Sequence, residues 1–353
     1  MPVVPSKVVQ AIPPSVPFVA PEALERRLGV QFRLRMGANE SPFGPAPEAI
    51  EAMQEAAARG SFYGDPQSIA LREAISDRHG VDTDRIRVAS GIDDLLILLC
   101  RAYLSPGDRV ATTQGSYPTF EFAARAAGAE IVAVPYKADR PDLEALANVA
   151  GAKIVYLANP DNPSGTYYAS EEVHSLRRRM AEGSLLLLDE AYADFVPENP
   201  QLPTDTVRLR TFSKAHGLAG LRIGYAIADP TVGEVLDRIR PHFGVNSVAQ
   251  AGALASLGAH DHIATVVRKT EAGRSQLKSI VRRLGYGFRD TATNFVLIDA
   301  GDRPSAEALL DRLLRAGVFV RKPAGSPLER YIRVTVGTET MTEEFGKILA
   351  QVT

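Results

Sequence analysis

The strongest constraint on the fold is the alternation of short, wholly apolar runs with longer amphipathic stretches through the first two thirds of the chain. Apolar runs of this length predict strands that are buried on both faces, which is typical of a parallel sheet covered by helices. The expected strands are Ile86–Ala89, Arg109–Thr112, Glu130–Val134, Lys153–Leu157, Leu185–Leu188, Val207–Thr211 and Arg222–Ala228. The sequence therefore predicts an α/β fold with a mostly parallel, seven-stranded sheet flanked by helices.

The stretches between these runs include three with helical periodicity, Asp93–Tyr103, Thr119–Ala127 and Glu171–Met180. Periodicity alone does not separate the Leu185–Leu188 run from a buried helix. Gly183 before this run and Asp189 after it favour a strand.

The pattern changes after about residue 229. A long helical region, interrupted by proline, extends to about residue 284, and shorter elements follow it. These are expected strands at Phe295–Ile298, Val318–Arg321 and Tyr331–Val336, and expected helices at Ala306–Arg315 and Met341–Val352. A chain of 353 residues is long enough for about two domains. We expect an N-terminal arm over residues 1–35, a large domain over 36–240 and a smaller α+β domain over 241–353.

Composition excludes several classes of function. Lys and Arg number 40 against 42 Asp and Glu, for a formal net charge of −2, which argues against partners such as nucleic acids or membrane surfaces. The apolar run Leu95–Cys100 is far too short to span a membrane. Cys100 is the single cysteine, so an intrachain disulfide and a Cys-rich zinc site are excluded, and the six histidines lack metal-ligand spacing. We expect no metal and a cytoplasmic location.

The first 21 residues contain six prolines, at positions 2, 5, 13, 14, 17 and 21, and lack the apolar run of a signal peptide. Proline density of this kind predicts an extended arm rather than a helix. Composition leaves open whether this arm folds over a site as a lid or stays disordered.

One loop has an unusual composition for this chain, which has only eight lysines against 32 arginines. Lys214 follows a strand, between the hydroxyls of Thr211 and Ser213 and a segment with three glycines and Arg222. Hydroxyls and an arginine bind anions, and a lysine beside them is either a phosphate ligand or a Schiff-base nucleophile. The alternative is a glycine-rich surface turn. The glycine spacings of dinucleotide and nucleoside triphosphate loops are absent.

Two other loops follow strands whose carboxyl ends should meet at one edge of the sheet, where ligands bind in parallel α/β folds. Asp189 is placed there to pair with a heteroaromatic nitrogen, or else to cap a helix. Asn162 lies in a turn at residues 159–166 that two prolines and a glycine make rigid, so it is a candidate polar wall of a site.

Two features at helix starts complete the candidate site. Residues 90–94 open the helix predicted from Asp93, so the N–H groups of Ile92 and Asp93 form an anion site. The alternative is a Ser90 cap with two acidic residues facing the helix dipole. Tyr117 follows the Arg109–Thr112 strand, where it either stacks on a planar ligand or joins the core.

In this order, the motifs resemble the fold-type-I pyridoxal-phosphate-dependent aminotransferases, and within them the histidinol-phosphate aminotransferase branch of class II. The matching segments are a helix-start anion site, an aromatic residue, and residues 159–166 (NPDNPSGT), 189–192 (DEAY) and 213–224 (SKAHGLAGLRIG). Residues 39–45, 63–66 and 331–338 resemble further signatures of that branch. The resemblance covers the chain from about residue 35. It implies an aspartate-aminotransferase-like fold and a homodimer with each active site at the interface.

The resemblance also implies a role for each motif residue. Lys214 would hold pyridoxal phosphate as a Schiff base and then move a proton, and Asp189 would keep the pyridine nitrogen protonated. The other implied cofactor contacts are Asn162 and Tyr192 at the ring oxygen O3′, Tyr117 on the ring face, Ile92, Asp93, Thr211, Ser213 and Arg222 at the phosphate, and Tyr63 at the phosphate of the neighbouring subunit. The implied substrate contacts are Asn39, Arg321 and Arg333.

Some of these residues have simpler interpretations. Asn39 is otherwise an Asx turn before Pro42, and Arg321 a solvated arginine at a strand end. His216 replaces an aromatic residue that is usual between the lysine and the glycines, and we interpret it as a packing substitution.

The implied reaction transfers an amino group between histidinol phosphate and 2-oxoglutarate, that is, between a small-molecule amino donor and a 2-oxo acid. Three segments depart from the branch. Residues 13–18 lack its tyrosine motif, Gly64 follows Tyr63 where proline is usual, and residues 321–323 (RKP) differ around the arginine. Two alternatives therefore stay open. One is an aminotransferase of the same fold for aromatic or other amino acids, and the other is a catalytically silent binding or regulatory protein.

Overall fold

The computed structural model describes residues 3–13, 19–197, 203 and 205–353. The strands, in chain order, are β1 Leu34–Arg35, β2 Ile86–Ala89, β3 Arg109–Thr113, β4 Glu130–Val134, β5 Ala152–Ala158, β6 Leu185–Asp189, β7 Thr206–Thr211, β8 Gly224–Ile227, β9 Gly287–Arg289, β10 Phe295–Asp299, β11 Val318–Phe319 and β12 Tyr331–Thr335.

The α-helices, in chain order, are α1 Lys7–Gln10, α2 Pro21–Leu28, α3 Pro47–Ala58, α4 Ile69–His79, α5 Ile92–Tyr103, α6 Pro118–Ala126, α7 Leu143–Ala147, α8 Ser170–Arg179, α9 Pro230–Asp237, α10 Ser247–Gly258, α11 His260–Arg283, α12 Arg303–Arg315 and α13 Glu339–Val352. Short 3-10 turns lie at Thr83–Arg85, Ala193–Phe195, Ala219–Leu221 and Leu328–Arg330. Within the described residues, no helix is both long and apolar enough to cross a membrane.

The large sheet has seven strands in the order β2-β8-β7-β6-β5-β3-β4. The pairs β3–β4, β3–β5, β5–β6 and β6–β7 are parallel, whereas β8 runs antiparallel to both of its neighbours. The predicted mostly parallel sheet is therefore confirmed. Its register places Ala158 opposite Asp189, so the carboxyl ends of β5 and β6 finish side by side.

Both faces of the large sheet are covered. Alternate residues of a strand point to opposite faces. Thus Tyr156 and Leu187 join a core with α5 and α6, whereas Val155 and Leu186 join a second core with α8. This double burial explains why β5 and β6 read as continuous apolar runs in the sequence.

The C-terminal part contains an antiparallel sheet in the order β12-β10-β9, packed against α11, α12 and α13 in a core of its own. The chain before α3 reaches this part, because β1 pairs with β11, and Leu34 and Met36 join its core. Helix α10 packs on α3 and α4 instead, in a core that includes β2 and β8 of the large sheet.

The expectation of an extended N-terminal arm is wrong in part, since α1 forms within it. The prolines lie outside the turns of this helix: Pro5 precedes the N-cap Ser6, and Pro13 follows its end. Pro21 occupies the first turn of α2, where a missing N–H removes no helical hydrogen bond. Residues 14–18, which are most of the segment lacking the tyrosine motif, lie outside the described residues.

Candidate active site

The carboxyl ends of β5, β6 and β7 open into a cleft of about 1170 Å³, which residues of the C-terminal part and of the N-terminal arm also line. This is the edge at which parallel α/β sheets bind ligands. All but one of the predicted site residues line the cleft: Asn39, Ile92, Asp93, Tyr117, Asn162, Asp189, Tyr192, Thr211, Ser213, Lys214, Arg222, Arg321 and Arg333.

The Lys214 amine lies inside the cleft. It donates a long hydrogen bond of 3.5 Å to the Ala38 carbonyl and lies 5.7 Å from the centre of the Tyr192 ring. Burial, reinforced by the positive charges of Arg333 and Arg222, lowers the pKa of this amine to about 8. A neutral amine is a nucleophile and a base. With this pKa, part of the protein molecules carry a neutral Lys214 amine at neutral pH.

Asp189 ends β6 with a buried carboxyl group. Its Oδ2 accepts a hydrogen bond of 2.7 Å from the Tyr156 hydroxyl, and its Oδ1 accepts one of 3.0 Å from the Ala191 N–H. Burial raises the pKa of Asp189 to about 6, while these two donors oppose the rise. The group is therefore charged at neutral pH and suited to a cationic ring nitrogen. The helix-cap interpretation is wrong, because a 3-10 turn with Tyr192 at its N-cap follows.

The start of α5 and the loop after β7 form an anion cradle. Gly91 is the N-cap of α5 and supplies no side chain, so the first N–H groups of this helix are uncapped. The Arg222 guanidinium lies beside them, 3.2 Å from Asp93. Gly91 has a φ of 88°, which favours glycine, and a Cβ at this position would lie 2.9 Å from the Arg222 guanidinium and displace it. The hydroxyls of Thr211 and Ser213, 2.9 Å apart, complete the cradle.

The Ser90 cap is not observed, because the Ser90 hydroxyl donates to the Gly244 carbonyl instead. The predicted strand Arg222–Ala228 is also wrong at its start, and β8 begins at Gly224. Arg222 has a left-handed backbone with φ of 53°, which is incompatible with an extended strand. Strained conformations of non-glycine residues concentrate at functional sites, which fits the placement of this guanidinium in the cleft.

A hydrogen-bonded chain crosses the cleft from β12 to the loop after β6. Thr335 donates to Asn39 Oδ1 at 2.9 Å, and Asn39 Nδ2 donates to the Tyr192 hydroxyl at 2.7 Å. The predicted Asx turn at Asn39 is therefore not observed, because Thr335 takes its side-chain oxygen. Burial raises the pKa of Tyr192 to about 12, so its hydroxyl stays protonated and can donate to a ligand oxygen.

Arg321 and Arg333 line the side of the cleft opposite β7, the strand that precedes Lys214. Arg333 donates to Asn162 Oδ1 and, at 2.8 Å, to the Gly37 carbonyl, while its buried Nε has no hydrogen-bond partner among the described residues. The predicted strand Val318–Arg321 ends at Phe319, and Arg321 instead forms an isolated backbone bridge with Arg333. Together they offer guanidinium groups to an anionic substrate.

The arm closes part of the mouth of the cleft. Arg321 donates to the Val19 carbonyl at 2.9 Å, which anchors the described end of the arm, so Arg321 is not simply solvated. Ile12, Pro13 and Ala20 also line the cleft. The described arm residues therefore lie over the site, as a lid does.

The two remaining predicted tyrosines differ in position. Tyr117 lines the cleft, and its hydroxyl donates to Asp93 Oδ1 at 2.9 Å. Tyr63 does not line it. The Tyr63 side chain is 84% exposed and stacks on Phe243, with ring centres 4.5 Å apart.

Sequence reasoning missed two buried groups beneath the site. Tyr156 supports Asp189, and Asp161 accepts hydrogen bonds from the Tyr136 hydroxyl at 3.0 Å and the Ser164 N–H at 2.9 Å, next to Asn162. A tyrosine inside an apolar strand was the available signal, because a buried hydroxyl needs a partner.

His216 is buried, with Nδ1 2.6 Å from the Ser256 hydroxyl and its ring edge-on to Phe212, as expected for a packing substitution.

Comparisons with known proteins show the family of this chain. Residues 33–349 match the model of the family Aminotransferase class I and II. Histidinol-phosphate aminotransferase 1 of Nitrosococcus oceani is 36% identical, over 98% of this chain and 95% of that protein. The histidinol-phosphate aminotransferase of Symbiobacterium thermophilum is 37% identical, over 97% and 96%. The crystal structure of histidinol-phosphate aminotransferase from Sinorhizobium meliloti in complex with pyridoxal-5'-phosphate superposes with a TM-score of 0.94 at 38% identity, covering 98% of this chain and 96% of that one.

Proposed function

The chain belongs to the aminotransferase class I and II family, and from this premise we propose that it transfers an amino group between histidinol phosphate and 2-oxoglutarate, with pyridoxal phosphate as cofactor. The observation that carries the chemistry is the Lys214 amine, whose lowered pKa of about 8 and position in the same cleft as Asp189 suit a nucleophile and base. The substrate assignment is supported by relatives of that name and by the pair Arg321 and Arg333.

The residues of the cleft fit pyridoxal phosphate. The cradle of Ile92, Asp93, Thr211, Ser213 and Arg222 suits its phosphate, the buried Asp189 suits its pyridine nitrogen, and Tyr117 offers a flat ring beside them. When bound, this cofactor carries the amino group from one substrate to the next and withdraws electrons from the carbon that loses a proton.

The chain's own residues supply the other requirements of the reaction. The Lys214 amine holds the cofactor and moves the proton at the substrate carbon that bears the amino group, and its pKa near the working pH favours both directions of transfer. The Asp189 carboxylate keeps a positive charge at the ring nitrogen. The Tyr192 hydroxyl and the Asn162 amide donate to the ring oxygen, with Asn39 and Arg333 orienting them.

Both substrates have an anionic group that the arginines can bind. The guanidinium of Arg333, with its unpartnered Nε, binds a carboxylate of the 2-oxo acid or of glutamate. Histidinol phosphate has no carboxylate, so its phosphate occupies the same place, with Arg321 beside it. A guanidinium pair accepts either group because both offer two oxygens to parallel N–H donors.

We also propose that the enzyme is a homodimer, in which Tyr63 contacts the cofactor phosphate of the partner. Phe62, Tyr63 and Phe243 form an exposed aromatic patch, and large apolar patches on a surface are typical of an interface. Light scattering of the purified protein tests this assembly. A monomer at micromolar concentration would contradict it.

The proposal also includes a domain boundary and a cellular location for the enzyme. The large domain extends to α10, beyond the predicted boundary at residue 240, because α10 packs against α3 and α4. We also propose that the enzyme works in the cytoplasm, because a chain with the single cysteine Cys100 fits a reducing compartment.

A substrate panel tests the proposed function. The purified protein is loaded with pyridoxal phosphate and assayed with 2-oxoglutarate against histidinol phosphate, histidinol, phenylalanine and tyrosine. We expect kcat/KM for histidinol phosphate to exceed that for each other donor by at least about tenfold, because a charge-assisted hydrogen bond to phosphate contributes about 1.5–3 kcal/mol.

A higher value for phenylalanine would instead favour an aromatic aminotransferase. A protein that binds pyridoxal phosphate and turns over no donor would favour the silent binding protein. A colourless protein that takes up no added cofactor would overturn both enzyme assignments.

A further inference from the structure

Tyr156 lies beneath the candidate active site with its hydroxyl in the core. It is 1% exposed on β5, and the β5–β6 register sets it opposite Leu187, two residues before the pair Ala158 and Asp189. Residues two apart on a strand point to the same face, so Tyr156 lies diagonally below Asp189. Its hydroxyl donates to Asp189 Oδ2 at 2.7 Å.

The packing of the Tyr156 ring does not need that hydroxyl. The ring stacks on Phe120, with centres 4.6 Å apart and planes 9° apart, and phenylalanine would stack equally well. A buried hydroxyl without a partner destabilises a core. The hydroxyl is thus tolerated in this core because it bonds to Asp189, and burial keeps it protonated by raising its pKa well above the usual value.

Asp189 is held from behind by two donors. The Tyr156 hydroxyl donates to Oδ2, and the Ala191 N–H donates to Oδ1 at 3.0 Å. These two bonds fix the plane of the carboxyl group and leave its remaining lone pairs toward the cleft. Both donors bond more strongly to the charged form, and they oppose the burial that raises the Asp189 pKa to about 6. The other titratable groups that act on Asp189 are Asp93, Glu190, Tyr117, Tyr192 and Lys214.

We propose that Tyr156 is a positioning residue, whose hydroxyl orients the Asp189 carboxylate and keeps it charged so that the proton between Asp189 and the cofactor ring stays on the ring nitrogen. The inference rests on the proposed cofactor and on the proposed role of Asp189. It concerns a residue that touches neither cofactor nor substrate, so its effect reaches the ring only through Asp189.

The variant Tyr156→Phe removes the donor and keeps the stacked ring. Loss of a hydrogen bond to a charged group is expected to raise the Asp189 pKa by about one to two pH units, which is a tenfold to hundredfold change in proton affinity. The carboxyl group would then titrate in the neutral range. The shared proton would move from the ring nitrogen toward Asp189 by the same factor.

The chain offers a matched control in Tyr136→Phe. Tyr136 is also buried and also donates to a buried carboxylate, Asp161, at 3.0 Å. Asp161 is held by Ser164 and Ser116 and does not line the cleft. This variant therefore loses a bond of the same kind at a place that does not face the ring nitrogen.

The test uses two readouts other than activity. The first is the nitrogen-15 chemical shift of ring-labelled pyridoxal phosphate bound to the wild type, Tyr156→Phe, Tyr136→Phe and Asp189→Asn, because this shift separates protonated from neutral pyridine. The second is the carbon-13 titration of the Asp189 carboxyl group in the cofactor-free proteins. We expect Tyr156→Phe to move the nitrogen-15 shift toward that of a neutral ring and to raise the Asp189 pKa in the carbon-13 titration. Tyr136→Phe should leave both readouts unchanged.

Wild-type values in Tyr156→Phe would overturn the inference while leaving the role of Asp189 intact, provided that Asp189→Asn still deprotonates the ring. Equal shifts in Tyr136→Phe would also overturn it, since the effect would then be general. A wild type whose bound ring nitrogen is neutral would overturn the role of Asp189 and this inference with it.

A second substitution covers the case in which Tyr156→Phe does not fold. Tyr156→3-fluorotyrosine keeps the hydrogen bond and makes the hydroxyl a stronger donor. Both readouts are then expected to move in the opposite direction, and unchanged values would overturn the inference.

Discussion

The two walls of the cleft are built differently. On one wall, Asp189, Thr211, Ser213 and Lys214 each end or directly follow a strand of the large sheet, so neighbouring parallel strands bring them together. On the other wall, Arg333 forms its bonds with residues far away in the chain, such as Gly37, and its neighbour Arg321 bonds to Val19. The first wall is part of a doubly covered sheet, whereas the second joins three separate segments.

This difference separates two tasks. The wall of strand ends is suited to hold a cofactor, because its groups are fixed by sheet register and by burial on both faces. The wall of arginines is suited to accept different substrates, because a few bonds to Val19, Gly37 and Asn162 hold its guanidinium groups. If the two tasks are divided in this way, substitutions at the first wall should change the chemistry and substitutions at the second wall should change substrate binding.

The largest expected effect is at the first wall, in Lys214→Ala. Removing the amine removes both the attachment of the cofactor and the base, so turnover is expected to fall by about 10³-fold or more. Stopped assays with histidinol phosphate and 2-oxoglutarate measure this loss. Lys322→Ala, on the other side of the cleft, is the control and should retain most of the rate. Turnover within tenfold of wild type in Lys214→Ala would break the assignment of chemistry to this wall.

The next largest effect is expected in Asp189→Asn. The neutral amide does not hold a positive charge at the ring nitrogen, so kcat is expected to fall by about 10²-fold or more while the cofactor still binds. Steady-state kinetics together with the visible spectrum of the loaded protein check both parts. An unchanged kcat would contradict the role of this carboxylate.

The second wall should respond in KM instead. Arg333→Ala is expected to raise KM for 2-oxoglutarate by about 10–100-fold, since a charge-assisted hydrogen bond contributes about 1.5–3 kcal/mol. Arg321→Ala should raise it less, because Arg321 is more exposed and also bonds the arm. The visible spectrum should stay that of the loaded wild type in both variants. Loss of the cofactor in Arg333→Ala would show that the walls do not divide the two tasks.

The smallest expected effect is on the stability of the fold, and it again concerns Asp189. Its folded pKa of about 6 lies above the ordinary value of 3.8. The folded state therefore binds the proton more tightly than the unfolded state between these values, and stability falls as pH rises through that window. At pH 8 the charged group destabilises the cofactor-free protein by roughly 2–3 kcal/mol.

Asp189→Asn should accordingly raise the free energy of unfolding of the cofactor-free protein at pH 8, with the gain disappearing near pH 4. The amide keeps one oxygen for the Ala191 N–H but loses the second acceptor, at the Tyr156 hydroxyl, which reduces the gain. Urea unfolding at both pH values measures the difference, and a variant less stable than wild type at pH 8 would contradict the burial argument.

The same contrast explains how much could be predicted from the sequence. The residues of the first wall can be predicted from local patterns, because an apolar run predicts a strand, and the last residue of that strand is then expected at the edge of the sheet. Lys214 and Asp189 could be placed in this way. The Tyr156 bond to Asp189 could not, because it depends on the register of two strands that are 33 residues apart at these positions.

The second wall was less accessible to sequence reasoning. The bond from Asn39 to Thr335 joins residues 296 positions apart, and no local pattern indicates it. The backbone of Arg222 shows the same limit on a small scale. Its neighbours have strand-like composition, but a left-handed φ of 53° at Arg222 delays the start of β8 by two residues, to Gly224. In the arm, the high proline content predicts an extended chain. The short stretch between Pro5 and Pro13 contains no proline, however, and α1 forms there.

The proposed reaction depends most directly on the attachment of the cofactor at Lys214. Borohydride treatment of the protein loaded with pyridoxal phosphate, followed by proteolysis and mass spectrometry, identifies the lysine that holds it. We expect one modified lysine, Lys214, with the modification absent after treatment of Lys214→Ala. Modification of another of the eight lysines in its place, or of none, would contradict it.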